Sequence, residues 1–300
     1  MYHFLSPENF NDYELIDTGN FEKLERFGKY FVARPEPQAI WDKSLSEDNW
    51  EKMAQAYFKR DRNNKPDNLE NTEKGEWILK KGMPDQWFVQ YNYKSMNLNM
   101  RLGLTAFKHV GIFPEQAVNW NYVYDTVQNI KSEKPNILNL FAYTGGASLA
   151  ARAAGANVTH VDSVKQVITW SRENMEASGL SDIRWVVEDA VKFVQREIRR
   201  GNKYNGIILD PPAYGRGPDG EKWLLEKSIN DLMKNCQQLL KNENSFLLLN
   251  LYSMGFSALI AESLVKSVFS NTKNLQSGEL LLTDKAGKNL PLGIFTRFTL

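Results

Sequence analysis

The stretch Ile137-Leu138-Asn139-Leu140-Phe141-Ala142-Tyr143-Thr144-Gly145-Gly146-Ala147-Ser148-Leu149 decides the fold of this chain. Its first five residues, Ile137–Phe141, read as a buried strand, and Ala147–Ala154 reads as the helix that follows. The paired glycines between them let the backbone turn tightly and approach a ligand that would collide with a Cβ atom. No Gly-Lys-Ser/Thr follows, so this is not a Walker loop, and the match to Gly-x-Gly-x-x-Gly is poor. Taken alone, the junction fits an ordinary turn capping a strand equally well.

The same alternation continues downstream. Short apolar runs at Val158–Val161, Ile183–Val187, Gly206–Leu209 and Phe246–Leu249 are separated by amphipathic stretches at Lys165–Ser178, Val191–Arg200, Lys222–Lys241 and Ser257–Phe269. Repeated strand-helix units predict an α/β fold on a mostly parallel sheet. The tail, Glu279–Leu282 and Pro291–Leu300 around the turn signal Asp284-Lys285-Ala286-Gly287, predicts an antiparallel C-terminal edge. Upstream of Asn136 the texture changes to aromatic-rich runs such as Tyr30-Phe31-Val32 and Trp87-Phe88-Val89. That half predicts a smaller β-rich N-terminal domain, residues 1–100, serving substrate recognition beside a ligand-binding domain, residues 101–300. Within it, Asp48-Asn49-Trp50-Glu51 predicts the start of a helix over Asn49–Arg60, and the polar segment Asn63–Gly75 predicts a loop. A helix at Gln116–Ile130 is expected to join the halves.

The 300 residues have the composition of an ordinary globular protein, 42% hydrophobic and 24% charged. No apolar run approaches the roughly 20 residues that span a bilayer, and Met1–Pro7 lacks a basic segment followed by an apolar one, which predicts a cytoplasmic protein with no membrane partner. A single cysteine, Cys236, excludes an internal disulfide, and with only three scattered histidines a metal centre is not expected. The net charge of +1 withholds the basic excess of many nucleic-acid binders, so any basic surface must be local. Two stretches qualify, Lys59 to Lys65 and Arg196 to Lys203, and the acids beside each also permit a solvated face.

Chemistry-bearing residues collect at the predicted strand ends. Asp162 closes the second strand, where an acid can accept hydrogen bonds from a ribose diol or simply favour a helix N-terminus. Glu188-Asp189-Ala190 follows the third, where Asp189 can accept from an adenine amine or act as an N-cap. Asp210-Pro211-Pro212-Ala213-Tyr214 follows the fourth. Its prolines fix the backbone and remove N–H donors, so the Asp210 carboxylate and the carbonyls are expected to face the crevice as acceptors for an amine or a ring edge. Tyr214 can stack on a flat substrate.

In order, four strand ends carry a glycine turn, a ribose-type acid, an adenine-type acid and an acceptor shelf. Here the chain resembles the class I S-adenosylmethionine-dependent methyltransferases, whose sheet is Rossmann-like. Asn139–Gly146 together with Asp210–Tyr214 is similar to the large-subunit ribosomal RNA methyltransferases of the RlmI and RlmK type, and Leu24–Gly28, Arg34–Ala39 and Gly111–Gln116 are similar to a subgroup of them. The resemblance implies that Phe141, Ala142, Thr144 and Gly145 surround the methionine part of S-adenosylmethionine, with Asp210 nearby. It implies Asp162 and Ser163 for the ribose, and Glu188, Asp189 and Ala190 for the adenine side. Phe113 and Gln116 match a segment that closes over the cofactor, where relatives usually read Asp-Gln-Arg and this chain reads Glu115-Gln116-Ala117.

Two departures bear on the substrate. Methylation of cytosine carbon 5 needs a cysteine nucleophile just after the fifth strand, and here that place reads Asn250-Leu251-Tyr252-Ser253. Cys236 falls instead on the apolar stripe Leu225, Ile229, Leu232, Met233, Leu239 of a helix, as a core residue. The PUA domain of RlmI-type relatives is also not found in the chain. The expectation is methyl transfer to a nitrogen of a base in 23S ribosomal RNA, with Asp210, Pro211, Pro212 and Tyr214 as the catalytic set. A methyltransferase acting on a protein or small molecule, and a cofactor-binding module without transferase activity, are the alternatives. Oligomeric state is not readable from the sequence.

Overall fold

The computed structural model describes residues 1–60, 75–106, 108–252 and 255–300. In its first third, β1 (His3–Leu5), β2 (Tyr13–Gly19), β3 (Glu22–Phe27) and β4 (Tyr30–Pro35) precede helix α1 (Glu47–Met53). They are followed by β5 (Ala56–Arg60), β6 (Gly75–Leu79) and the hairpin of β7 (Gln86–Tyr93) and β8 (Met96–Gly103). A 3-10 turn at Pro114–Gln116 then leads into α2 (Ala117–Asn129), β9 (Asn136–Leu140), α3 (Gly146–Ala153), β10 (Asn157–Asp162), α4 (Lys165–Ala177) and β11 (Ile183–Val187). The chain continues through α5 (Ala190–Arg199), β12 (Gly206–Leu209), the hairpin of β13 (Tyr214–Arg216) and β14 (Lys222–Leu224), and α6 (Leu225–Leu239). It ends with β15 (Phe246–Leu251), α7 (Ala258–Val268), β16 (Lys273–Thr283) and β17 (Asn289–Thr299).

Eight of these strands form one sheet in the order β1-β16-β17-β15-β12-β9-β10-β11. The run β15-β12-β9-β10-β11 is parallel, as the strand-helix alternation predicts, and β17 is antiparallel to both β15 and β16. Outside this antiparallel pair, β1 runs parallel to β16, so the outermost strand comes from the beginning of the chain. Every residue of β12 and β15 is buried, the signature of strands covered on both faces.

Successive strand residues enter opposite cores, because side chains alternate across a sheet. Ile137, Ile208, Phe246 and Leu248 pack with Trp120 and Tyr124 of α2, Leu149 of α3, and Trp87, Val89 and Leu98 of the β7–β8 hairpin. Leu138, Leu140, Ile207, Leu209 and Leu247 pack on the other side with Phe193 of α5, Leu232 and Cys236 of α6, and Val265 of α7. Cys236 is fully buried, and that burial pushes its thiol well above the ordinary range. Among the described residues, no helix is long and apolar enough to cross a membrane.

A second sheet, β2-β3-β4-β5-β6, makes up the β-rich N-terminal part. Its helix departs from expectation. Ser46, not Asp48, is the N-cap of α1, accepting from Asn49 N at 3.3 Å, and the helix stops at Met53. Downstream, Ala56 and Phe58 are buried while Tyr57 and Lys59 are exposed, so β5 replaces the expected second half of that helix. Helix α6 likewise starts later than expected, since Lys222–Leu224 pairs with Tyr214–Arg216 as a hairpin. The expected loop at residues 63–74 lies outside the described residues, and Gly75 opens β6. Of the two basic stretches, Lys59 and Arg60 are exposed on β5, with residues 61–65 outside the described set. In the other, Arg196 pairs with Glu188 at 2.5 Å and Arg200 with Glu197 at 3.1 Å.

Candidate active site

The ends of β12, β9, β10 and β11 lie side by side, so Asp210, the glycine loop, Asp162 and Glu188-Asp189 share one edge of the sheet. The loop takes a strained path. Phe141 (φ 54°), Tyr143 (φ 48°) and Gly145 (φ 95°) all sit in the left-handed region, natural only for the glycine. Each of the other two costs about 1–3 kcal/mol and persists only because its surroundings over-determine it. Tyr143 N donates to Asp162 Oδ2 at 2.9 Å, Thr144 Oγ1 to Gly111 O at 2.7 Å, Ser171 Oγ to Tyr143 O at 2.6 Å and Asn174 Nδ2 to Thr144 O at 2.9 Å. Gly146 then opens α3 against the Trp120 indole, where an added Cβ would lie 2.5 Å from the ring.

A buried polar chain backs this loop. Asn139 Nδ2 donates to Ser148 Oγ at 2.9 Å, Ser148 Oγ meets His160 Nδ1 at 3.0 Å, and His160 Nε2 approaches Ser171 Oγ at 3.5 Å. Burial pushes His160 down to about 3, so its ring is neutral at physiological pH and links hydroxyl groups rather than carrying charge. None of these residues was anticipated as part of the site. The available signal was a Ser and a His interrupting otherwise apolar elements.

At the shelf, Asn250 Nδ2, at the end of β15, donates to Asp210 Oδ1 at 2.7 Å. Burial raises the Asp210 carboxyl to about 6, and the Asn250 hydrogen bond offsets only part of that shift. The expectation that the shelf carbonyls face the crevice needs correction. Trp223 Nε1 donates to Pro212 O at 2.7 Å and Leu225 N donates to Ala213 O at 3.0 Å, so both carbonyls are engaged within the protein. The same Trp223 ring packs on Phe141 with centroids 4.9 Å apart, tying the β13–β14 hairpin to the glycine loop. Arg216 Nε donates to the Tyr214 hydroxyl at 3.0 Å, next to the shelf rather than inside the cleft.

Opposite the loop stands the segment before α2. Phe113 packs on Tyr143 with centroids 5.4 Å apart, and Gln116 Oε1 accepts from Asn119 Nδ2 at 2.8 Å. Behind it, the three upstream runs singled out in the sequence meet in a buried ionic cluster. Arg34 donates to Glu25 through Nε at 2.5 Å and Nη2 at 3.0 Å, Lys23 pairs with Glu36 at 3.1 Å, and Tyr13 OH donates to Glu25 at 2.9 Å. Burial raises the Glu25 carboxyl, but Arg34 and Lys23 more than offset it and leave it below its ordinary range. For Glu115 burial wins, and its carboxyl rises to about 7 despite Lys23 and Arg34 nearby.

The resulting cleft, about 530 Å³ including its open mouth, is lined by Phe113, Gln116, Phe141, Ala142, Thr144, Gly145 and Asp210 from the sequence-derived set. Asn119, Trp120, Asn139 and Asn250 line it too, and sequence reasoning missed them. Pro211, Pro212 and Tyr214 flank it, whereas Asp162, Ser163, Glu188, Asp189 and Ala190 lie outside it along the same sheet edge. Asp162 uses its oxygens on Tyr143 N and Val164 N, and burial still raises its carboxyl. Asp189 is the N-cap of α5, accepting from Lys192 N at 2.9 Å, and Glu188 is engaged by Arg196.

Residues 68–267 match the S-adenosylmethionine-dependent methyltransferase family. A crystal structure of the SAM-dependent methyltransferase from Agrobacterium tumefaciens is 35% identical and covers 99% of this chain and 93% of its own, with a TM-score of 0.87. The chain belongs to the S-adenosylmethionine-dependent methyltransferases. Its cofactor is S-adenosylmethionine. A second methyltransferase structure, complexed with SAH, is 18% identical, covers 97% of this chain and 76% of its own, and shares the fold at a TM-score of 0.72. The ribosomal RNA large subunit methyltransferase K/L of Shewanella frigidimarina is 28% identical over 170 residues, 55% of this chain. The chain spans less than a quarter of that relative, 23% of its length. The methyltransferase cleft fits the cofactor on its own evidence, since Asn119 Oδ1 and Asn250 Oδ1 are buried acceptors with no hydrogen-bond partner among the described residues. Such groups are costly unless a ligand supplies donors.

Proposed function

We propose that this methyltransferase acts in the cytoplasm on a nitrogen of a base in 23S ribosomal RNA. The observation that carries the acceptor chemistry is Asp210, a carboxylate at the cleft floor with one oxygen held by Asn250 and further acceptor capacity left for an N–H group. When bound, the cofactor supplies an electrophilic methyl group on a sulfonium. Phe141, Ala142, Thr144 and Gly145 would line its methionine part, Asp162 and Ser163 would take the ribose, and Glu188, Asp189 and Ala190 would border the adenine. Asp210 orients the acceptor nitrogen and takes up its proton, which requires the ionised carboxylate and hence a pH above about 6. Pro211 and Pro212 hold that carboxylate in place, while Phe113 and the tightly bonded loop shield the reacting atoms from water. Tyr214, beside Arg216, offers an aromatic face next to a cation for the base and its backbone phosphate.

The RNA assignment draws support from relatives named as ribosomal RNA large subunit methyltransferases. The test is incubation of the purified protein and labelled cofactor with RNA and protein fractions from a strain lacking it. Label confined to 23S RNA, recovered as an N-methylated base after nuclease digestion, is the expected result. Label only in protein would overturn the RNA reading, and tight cofactor binding with no label anywhere would identify a module that has lost transfer.

A further inference from the structure

Asn119 occupies an unusual place for an amide. It lies on the inward stripe of α2 with Trp120, Val123 and Val127, and it is 1% exposed. Its Nδ2 is satisfied by Gln116 Oε1 at 2.8 Å, but its Oδ1 is enclosed with no hydrogen-bond partner among the described residues. Leaving a buried acceptor unpaired is destabilising, so an apolar residue would suit this position better if packing were its role.

The cleft around Asn119 is defined by what it lacks. Among the described residues lining it there is no Lys, Arg or His, and the only acid is Asp210; the other polar side chains are neutral, the amides of Gln116, Asn119, Asn139 and Asn250 with Thr144, Tyr143 and Trp120. The acids suited to a diol and an adenine amine, Asp162 and Asp189, lie outside the cleft toward β10 and β11. The polar part of the cofactor left for the cleft is therefore its amino-acid end, an ammonium and a carboxylate whose charges cancel. A neutral amide pair matches such a zwitterion without burying a net charge.

We propose that Asn119 is a cofactor-binding residue whose Oδ1 accepts a hydrogen bond from the α-ammonium of S-adenosylmethionine. Its Nδ2 meanwhile fixes the Gln116 oxygen, so the Gln116 amide nitrogen remains as a donor for the carboxylate. This rests on the cofactor and is independent of the acceptor assigned above. The test is a comparison of two ligands by calorimetry with no RNA present: S-adenosylhomocysteine, which carries the ammonium and carboxylate, and 5′-methylthioadenosine, which carries neither. Asn119→Leu is expected to weaken S-adenosylhomocysteine about 10–100-fold, as for loss of one hydrogen bond to a charged group, and to leave 5′-methylthioadenosine within about twofold. Asn119→Asp, which keeps an acceptor oxygen, is expected to retain most of the S-adenosylhomocysteine affinity. Equal losses for both ligands, or no loss for either, would overturn the proposal. Should Asn119→Leu not fold, the wild-type protein decides the matter with the S-adenosylhomocysteine analogue whose α-amine is replaced by hydrogen. A loss of about 10-fold or more is expected, and unchanged affinity would refute it.

Discussion

Behind the glycine loop and in front of it, the protein uses the same residue types to opposite ends. In the layer behind, Ser148, His160 and Ser171 form a hydrogen-bonded chain that starts from Asn139 in the cleft wall and contains no charge, since burial keeps His160 neutral, and Asn174 separately holds Thr144 O. The cleft in front holds a carboxyl raised toward neutrality at Asp210 and, at Asn119 and Asn250, amide oxygens without partners among the described residues. Satisfied polar groups buried together hold a strained backbone in one shape. Unsatisfied ones store the cost that a ligand relieves. The difference separates scaffold from site by hydrogen-bond accounting.

The strongest attempt to break this comparison is at Asp210. Asp210→Ala is expected to lower turnover about 10²–10⁴-fold while the protein stays folded, as read by single-turnover methyl transfer alongside a thermal melt. Full turnover in the variant would remove Asp210 from the chemistry. The second attempt concerns Glu115. Its folded-state carboxyl titrates at about 7, above the ordinary 4.5, so its contribution to stability is greatest below pH 4.5 and is lost as pH rises to 7. Glu115→Gln removes that loss. Relative to wild type it should gain stability across this window, reaching about 3 kcal/mol near pH 8, measured by urea titration at a series of pH values. A pH-independent difference would mean that Lys23 and Arg34 keep Glu115 ionised throughout.

Smaller effects sharpen the contrast from the other side. Asn174 accepts from Arg101 N at 2.7 Å and donates to Thr144 O, so Asn174→Ala should cost about 2 kcal/mol of stability and alter turnover per folded molecule less than about threefold. A collapse of turnover without a loss of stability would show that the back layer is part of the chemistry. Trp223→Phe keeps a ring against Phe141 but deletes the donor to Pro212 O, with an expected loss of about 1 kcal/mol, measurable as a shifted urea midpoint.

Legibility followed the range of the interactions. The parallel sheet was readable because β9, β12 and β15 are covered on both faces and write themselves as apolar runs, and its strand ends were readable because Gly145, Asp162, Asp189 and Asp210 interrupt those runs. Asn250 escaped notice because its meaning is a contact with a residue 40 positions earlier. Asn119 did leave a trace, an amide on the apolar stripe of a helix. Trp223 read as part of a helix because the β13–β14 hairpin that claims it is short and tertiary. The start of α1 was ambiguous locally, since Ser46 and Asp48 are both good N-caps and only the three-dimensional context chooses between them.

The sheet order also has a consequence for assembly in time. Strand β1 pairs His3 with Gly278 and Leu5 with Leu280, so during synthesis residues 3–5 wait for roughly 275 further residues before their partner exists. At about 5–20 residues per second that delay is on the order of tens of seconds, ample for every helix and hairpin to form first. The β1–β16 pairing is thus a clasp fastened late, and limited proteolysis of ribosome-bound chains arrested before residue 278 should find residues 3–5 accessible while the β2–β3 hairpin is already protected.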